Sequence, residues 1–439
     1  MSALHHNRAR PTAGWPGCPL AGGPPQIRPP LRPPAPAAHT APVRPGPPAA
    51  ATSAPKGADA PADDLGEDDD RLDELAGAEA TLAEPAASGD VFDREPGVDY
   101  GERSHLEADG QPRWVERRFE VEPEAAGLRL DHYLKLRIPR LSRTRIQAVI
   151  QSTLTRADGR PLKANTTVAA GELYLLRRPA QPEPPCPRTF TVLHRDAQVL
   201  VVDKPAGLPM HATAKFYFNT LTRVISERLP GEPWQICHRL DRETSGAVVL
   251  AGDRASAAVI KGAFAGKAVR KSYLAIVHGQ PPWPEAAVGD APAWVLDTPL
   301  RLAVAGDPTR LPGVRMLARA DGLPSRTDVV VRARAGDLAL VECFPRTGRQ
   351  HQIRAHLAHA GYPIVGDKLY THGDEAFMAF CDRGMTAELR ARFVLPRQAL
   401  HAHTVELAHP ATGLPLRVLA PLPGDLDQFW RTQCALPGC

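Results

Sequence analysis

The first regular pattern of apolar and polar positions lies within residues 114–178. Apolar and polar side chains alternate over residues 119–121, which predicts a strand. Helical spacing follows at four apolar positions, Leu130, Tyr133, Leu134 and Ile138. Ser142 is a suitable N-cap for a second helix over residues 143–152. These spacings predict a small domain of paired helices and short strands.

A second domain is predicted from residue 188 to residue 439. Residues 179–187 contain five prolines, which makes this stretch a stiff linker between the two domains. Apolar runs at residues 199–202 and 247–251 predict buried strands, and residues 270–279 have the pattern of a central strand. A helix is expected to begin after Gly348. The chain is therefore predicted to have an α+β fold.

Residues 1–113 are expected to form a disordered tail. Residues 1–100 contain 18 of the 47 prolines, and such a composition buries too little apolar area to offset chain entropy. Eight acidic residues lie within residues 63–74. Residues 1–100 carry a net charge of −7 in a chain of net charge +4, which leaves +11 for the remainder. A basic body suits a polyanion partner. The acidic tail is expected to be a solubilising segment, and a transient shield for the basic face is the alternative.

The cysteines and the chain start bear on the cellular compartment. The seven cysteines are scattered and show no C-x-x-C spacing, as is typical of reduced thiols in a cytosolic protein. There is no run of 18 apolar residues, and the first residues lack the apolar core of a signal peptide. We therefore expect a cytoplasmic protein without a membrane span.

The candidate chemistry is concentrated in residues 238–246, HRLDRETSG. Asp241 stands between Arg239 and Arg242 in a predicted loop just before a buried strand. A carboxylate among cations stays ionised at neutral pH and can act as a nucleophile or as a base. The alternative for an isolated stretch of this kind is a solvated loop with local salt bridges.

Two further stretches carry candidate site residues. Lys271 and Tyr273 lie on the predicted central strand, where a tyrosine is more often a core residue than a catalytic one. Residues 347–354, TGRQHQIR, combine Arg349, His351 and Arg354. His351 and His356 are five residues apart, which does not fit a zinc pair on one helix face, so no metal site is predicted.

These motifs together resemble the RluA-type pseudouridine synthases. The resemblance rests on residues 238–246, on the K-x-Y motif at Lys271 and Tyr273, on residues 347–354, and on the turn KPAG at residues 204–207. It covers residues 114–430, and residues 280–325 depart from the family pattern. The resemblance implies a catalytic domain built on a mixed, largely antiparallel bent sheet flanked by helices.

The resemblance also implies roles for single residues. Asp241 would act on the substrate, either by covalent addition or by proton abstraction to give a glycal. Arg354 would pair with this aspartate, and Tyr273 would stack on the target uracil. Arg239 would fill the gap left by the flipped nucleotide or contact a phosphate. The remaining expected RNA contacts are Lys271, Arg349, His351, Arg143 and Lys204, of which Lys204 is either a phosphate contact or merely a turn lysine.

Residues 114–178 resemble the S-four (alpha-L) RNA-binding domain, through R-L-D-x-Y-L and L-S-R-x-x-I-Q. Arg129, Arg140, Arg143 and Arg145 would crowd one end of the helix pair, which suits phosphate contacts that do not read sequence. An ordinary solvated basic face is the alternative.

The function expected from this resemblance is isomerisation of uridine to pseudouridine in RNA by a monomer. The reaction has no redox step and no group donor, so no cofactor is expected. Large-subunit ribosomal RNA is the expected substrate. A tRNA-directed enzyme and a non-catalytic RNA-binding ribosome-assembly factor are the alternatives.

Overall fold

The computed structural model describes residue 94 and residues 96–138, 141–213, 215–285 and 293–435. The tail expected over residues 1–93 and the expected phosphate contact at Arg140 lie outside the described residues. All described residues belong to one compact unit, Asp63–Cys439.

A small domain precedes the main sheet. Its elements in chain order are β1 (Trp114–Glu120), α1 (Leu130–Arg137), α2 (Arg143–Ser152), β2 (Leu154–Arg156) and β3 (Leu173–Pro179). The strands form an antiparallel sheet in the order β1-β3-β2. Both predicted helices are confirmed, and the Ser142 hydroxyl accepts a hydrogen bond from the backbone N–H of Arg145, as an N-cap does. The apolar positions at helical spacing form the core, which also buries Tyr174.

The main domain is built on a ten-stranded sheet. In chain order its strands are β4 (Thr191–Arg195), β5 (Val199–Lys204), β6 (Gln235–Ile236), β7 (Ser245–Ala251), β8 (Arg270–His278), β9 (Trp294–Leu296), β12 (Thr327–Ala335), β13 (Leu338–Pro345), β14 (Leu400–Ala408) and β15 (Pro415–Leu419). The strand order is β4-β5-β7-β14-β8-β13-β12-β9, with β6 paired to β7 and β15 paired to β14. Every pair is antiparallel except β7 with β14. The expected α+β class and the largely antiparallel sheet are confirmed.

Helices cover the faces of this sheet. They are α3 (Leu221–Arg228), α4 (Arg254–Ala265), α5 (Gln352–His359), α6 (Gly373–Arg383), α7 (Ala387–Phe393) and α8 (Gly424–Cys434). Successive residues of β5 point to opposite faces, and both sets are buried: Val199 and Val201 pack near α4, Leu200 and Val202 near α3. This double burial explains why β5 and β7 are continuous apolar runs rather than alternating ones.

The stretch that departs from the family pattern supports α5. Its described part contains a separate hairpin, β10 (Leu300–Leu302) with β11 (Met316–Ala318). Leu300, Leu311 and Met316 pack in one apolar cluster with residues of α5 and α6. Residues 286–292 lie outside the described part of the chain.

The boundary expected for the tail at residue 113 is wrong. The backbone N–H of Arg188 donates to the carbonyl of Asp99 at 2.8 Å, and that of Cys186 donates to the carbonyl of Tyr100 at 3.1 Å. Gly101 has φ +71, and a Cβ there would clash with the side chain of Asn219. Residues 99–101 are therefore packed against the start of the main domain.

Candidate active site

Asp241 lies on the loop between β6 and β7, and a buried lysine holds this loop. Lys204 is fully buried, and its Nζ donates to the carbonyls of Pro205 and Leu208 at 2.9 Å and of Arg242 at 3.0 Å. The expected phosphate contact at Lys204 is therefore wrong, because its ammonium points into the protein. The alternative of a turn lysine is correct, and the lysine fixes the residue next to Asp241.

Gly246 allows the Asp241 loop to approach β14. It has φ +116, and a Cβ at this position would clash with the backbone of Ala402, opposite which it pairs in the parallel β7–β14 contact. Only glycine combines this dihedral angle with this approach. The Ser-Gly end of the motif thus lets the loop lie beside the strand that follows Gln398.

Arg354 joins Asp241 to a second carboxylate. Its Nη1 donates to Oδ2 of Asp241 at 2.8 Å, while its Nε and Nη2 donate to the two oxygens of Asp367 at 2.7 and 3.1 Å. Asp367 is fully buried and also accepts from the backbone N–H groups of Leu369 and Tyr370. Two of the three guanidinium nitrogens are therefore immobilised, which aims the third at Asp241.

The electrostatics of this group favour an ionised Asp241. Burial raises the pKa of the Asp241 carboxyl. The charge of His351, which is present only at acidic pH, the charge of Arg354 and hydrogen bonds from Arg354 and Gln398 lower this pKa by more than burial raises it, so it lies well below its usual range. Burial lowers the pKa of His351 to about 4, which leaves its ring neutral at pH 7. Arg354 is therefore the permanent cation beside Asp241 at neutral pH.

Further hydrogen bonds position the loop that carries Asp241, in addition to the contact from Arg354. The Gln398 amide nitrogen donates to Thr244 Oγ1 at 2.7 Å and reaches Oδ2 of Asp241 at 3.4 Å. Glu243 accepts two hydrogen bonds from the buried Lys368 at 2.6 and 2.7 Å. These partners were not predicted from the sequence.

Tyr273 lies on β8, opposite Ala402 of β14 and Cys343 of β13. It is partly buried between two apolar clusters. Burial and the negative charge of Asp241 both raise the pKa of its phenol, so the ring is neutral at any physiological pH. A neutral aromatic ring close to an ionised carboxylate can stack on a planar base while the carboxylate acts on its sugar.

The other expected site residues are spread over a wider surface. Arg349 is exposed, and Arg143 is exposed in the small domain, where its Nη2 lies 3.0 Å from His132 Nε2. The half-buried Lys271 has its Nζ over the ring of Phe264. Arg239 is half-buried, and its charge acts on the buried His351. Their role as RNA contacts stays a prediction.

The helix that carries Arg354 begins later than predicted. It starts at Gln352, because His351 has φ 47 and ψ 18, in the left-handed region. The Gln352 side chain closes the preceding turn by accepting from the backbone N–H of Arg349 at 3.1 Å and the hydroxyl of Thr347 at 2.6 Å. His351, one of the expected RNA contacts, is only 4% exposed, and its contact with RNA stays a prediction.

Metal and membrane features are not found in the part of the chain that the structure describes. No group of three or more His, Cys, Asp or Glu side chains there is arranged to hold a metal ion. Among the same residues, no helix has both the length and the apolar character to cross a bilayer.

The site brings together the Asp241 carboxylate, the neutral aromatic ring of Tyr273 and the buried guanidinium of Arg354. A model of the family described as RNA pseudouridylate synthase matches residues 198–359, which contain all three.

Similar proteins agree with this match. The chain is 34% identical over 320 residues to ribosomal large subunit pseudouridine synthase D of Xanthomonas campestris pv. campestris, covering 71% of this chain and 91% of the relative. An uncharacterized RNA pseudouridine synthase of Chloroflexus aurantiacus is 35% identical over 341 residues, covering 74% and 95%. Ribosomal large subunit pseudouridine synthase C of Vibrio cholerae is 26% identical over 323 residues, covering 71% and 94%. The chain belongs to the RNA pseudouridine synthase family and is of the RluA type.

Proposed function

We propose that this enzyme isomerises specific uridines of large-subunit ribosomal RNA to pseudouridine. The 2.8 Å ion pair between Arg354 and Asp241, next to the ring of Tyr273, is the observation that carries the chemistry. The choice of RNA is supported by two relatives whose names specify the large ribosomal subunit.

Asp241 is the group that acts on the target nucleotide. It either adds covalently to the substrate or abstracts a proton to give a glycal, and both routes need the ionised carboxylate that Arg354 maintains. Tyr273 stacks on the extruded uracil and limits its motion while the base turns. Arg239 either fills the gap left by that nucleotide or binds a phosphate.

The small domain binds the RNA at phosphates that lie away from the reacting nucleotide. Its S-four-like character is supported by the helix pair α1–α2 against a short sheet, with Arg143 and Arg145 exposed at the start of α2. Arg349 and Lys271 add phosphate contacts nearer the site. Such contacts fix register by shape and charge without reading sequence. The enzyme acts as a monomer in the cytoplasm, and its chemistry needs no cofactor.

Pseudouridine mapping of total RNA with and without the gene tests the substrate. Loss of sites in large-subunit ribosomal RNA is expected, whereas loss in tRNA alone would assign the enzyme to tRNA. Asp241→Asn in the purified protein tests the chemistry, with tritium release from uracil carbon 5 as the assay. Turnover should fall at least ~10²-fold while RNA binding changes by only a few fold. Unchanged site maps together with full RNA binding would instead indicate a ribosome-assembly factor.

A further inference from the structure

His351 has an unusual backbone and a buried ring beside the reactive carboxylate. Its φ of 47 places a non-glycine residue in the left-handed region, immediately before the helix that carries Arg354. Strained backbone of this kind persists where surrounding contacts fix it, and it is concentrated at functional sites. The imidazole interacts electrostatically with Asp241, Arg354, Asp367 and Arg239, so it lies among the charged groups of the site.

A chain of hydrogen bonds sets which ring nitrogen carries the proton. The backbone N–H of Met316 donates to the Tyr370 hydroxyl oxygen at 3.0 Å, and the same oxygen lies 3.2 Å from His351 Nδ1. Tyr370 is buried, and the only acceptor in contact with its hydroxyl among the described residues is Nδ1. If Nδ1 carried the proton, the phenol hydrogen would be buried without an acceptor, at a cost of about 1–3 kcal/mol. The phenol therefore donates to Nδ1, and the proton of the neutral ring is on Nε2.

His351 Nε2 has no hydrogen-bond partner within the described residues, although the atom is buried. A buried donor without a partner is rare in native proteins and calls for an explanation. The ring is neutral near pH 7, because burial lowers its pKa to about 4. The site therefore holds an uncharged N–H group, on a ring that interacts electrostatically with Asp241, to which the described residues offer no acceptor.

We propose that His351 is a further catalytic residue that donates a hydrogen bond from Nε2 to a carbonyl oxygen of the target uracil. This role rests on the proposed function. It gives the site a hydrogen-bond donor that stabilises the negative charge that develops on the base during the reaction.

The chemistry of the base explains why one fixed donor suffices. When the bond between ribose and N1 breaks, its electron pair stays on the uracil and is shared by N1 and the two carbonyl oxygens. When the base turns about its N3–C6 axis, carbon 5 takes the place of N1 and O4 takes the place of O2. Carbon 5 then bonds to the ribose and releases its proton, and N1 takes up a proton. A donor beside the sugar thus meets O2 before the rotation and O4 after it, and stabilises both.

The stretch around Met316 contributes to the orientation of the His351 ring. It departs from the family pattern, yet it supplies the N–H group that occupies the Tyr370 oxygen and so orients the phenol toward His351. Tyr370 is a positioning residue, because it acts on the substrate only through the imidazole.

Nuclear magnetic resonance of the full chain labelled with nitrogen-15 histidine tests the tautomer without RNA. The signals of His351 are assigned by their loss in His351→Asn. We expect the proton on Nε2 in the wild type and a mixture of tautomers in Tyr370→Phe. A proton on Nδ1 in the wild type would overturn the proposal, whatever RNA the enzyme modifies.

Turnover of a matched pair of variants tests the contact itself. His351→Asn tolerates the left-handed backbone but is too short to reach the Nε2 position, whereas His351→Gln carries an amide nitrogen near that position. We expect Asn to lower kcat about 10²-fold with little change in KM, and Gln to recover part of the loss. Sulfur in place of O2 or O4 in the target uridine should slow the wild type and have little further effect on the Asn variant.

Equal turnover of the Asn variant and the wild type would reject the hydrogen bond, as would equal sensitivity of both to the sulfur substitution. Tyr370→Phe serves as a second variant if either substitution at residue 351 unfolds the protein, since it alters the tautomer from outside the strained position. An inactive wild type on a given RNA would count against that choice of RNA, while the tautomer measurement would still decide the proposal.

Discussion

Asp367 accepts two hydrogen bonds from Arg354, at 2.7 and 3.1 Å, and thereby leaves a single guanidinium nitrogen for Asp241. Asp241 is thus held through a buried arginine by a second carboxylate, which is itself fully buried. Asp367 in turn is held by two backbone N–H groups. The position of Arg354, and through it that of Asp241, is therefore tied to these backbone groups.

Arg354→Lys keeps the charge but has one ammonium group, which cannot contact both carboxylates as the planar guanidinium does. We expect kcat to fall at least ~10²-fold, because the carboxylate is no longer fixed in position. The pH profile should also change. Loss of the hydrogen bond from the guanidinium removes one of the interactions that lower the pKa of Asp241 against the effect of burial, so this pKa should rise. Because the proposed mechanism uses the ionised carboxylate, the acidic limb of kcat should move to higher pH. An unchanged acidic limb would count against control of Asp241 by Arg354.

Tyr273→Phe keeps the aromatic face and removes only the hydroxyl, so RNA binding and most of the turnover should survive. Tyr273→Leu removes the face and should be about 10-fold or more slower than Phe, since stacking on a base contributes about 1–3 kcal/mol. Single-turnover rates of both variants measure the difference. Equal rates for Leu and Phe would exclude stacking as the function of this ring.

Lys204→Met should destabilise the fold without weakening phosphate contacts. The substitution leaves three carbonyl groups without their buried donor, which should lower the free energy of unfolding by about 2–4 kcal/mol. Urea denaturation measures this change, and Lys267→Met, at an exposed position, is the matched control. A smaller salt dependence of RNA binding in Lys204→Met would restore the phosphate role that the structure rejects.

The difference between prediction and structure at Lys204 has a general cause. Apolar periodicity predicts local elements, and it identified the helix capped by Ser142 and the strands β5, β7 and β8. It carries no information on which distant residues meet, so Asp367 and Gln398 could not be assigned to Asp241. A lysine in a turn is usually exposed, and only the three converging carbonyls explain why Lys204 is buried.

The late start of α5 has a comparable cause. Residues 349–351 contain no glycine or proline that would predict a delayed start, and the turn before the helix depends on the side chain of Gln352 and on the left-handed backbone of His351. Neither feature can be predicted from spacing. The position at which the helix prediction failed is thus the position of the residue for which we propose a further catalytic role.

The N-terminal boundary can be tested with two truncations that differ by twelve residues. Deletion of residues 1–93 removes a proline-rich stretch with seven Lys/Arg and 13 Asp/Glu. The free energy of unfolding should stay within about 0.5 kcal/mol. RNA binding should become equal or slightly tighter, with the gain largest at low salt, because net negative charge is lost.

Deletion of residues 1–105 also removes the backbone hydrogen bonds from Arg188 and Cys186 and the contact of Gly101 with Asn219. It uncovers Arg188, which is buried and bonds to the carbonyl of Phe218 at 3.2 Å. The free energy of unfolding should fall by about 1–3 kcal/mol relative to the shorter deletion. Equal stability of the two truncations would show that the main domain begins after residue 105, and a tenfold loss of activity in the shorter deletion would show that residues 1–93 take part in function.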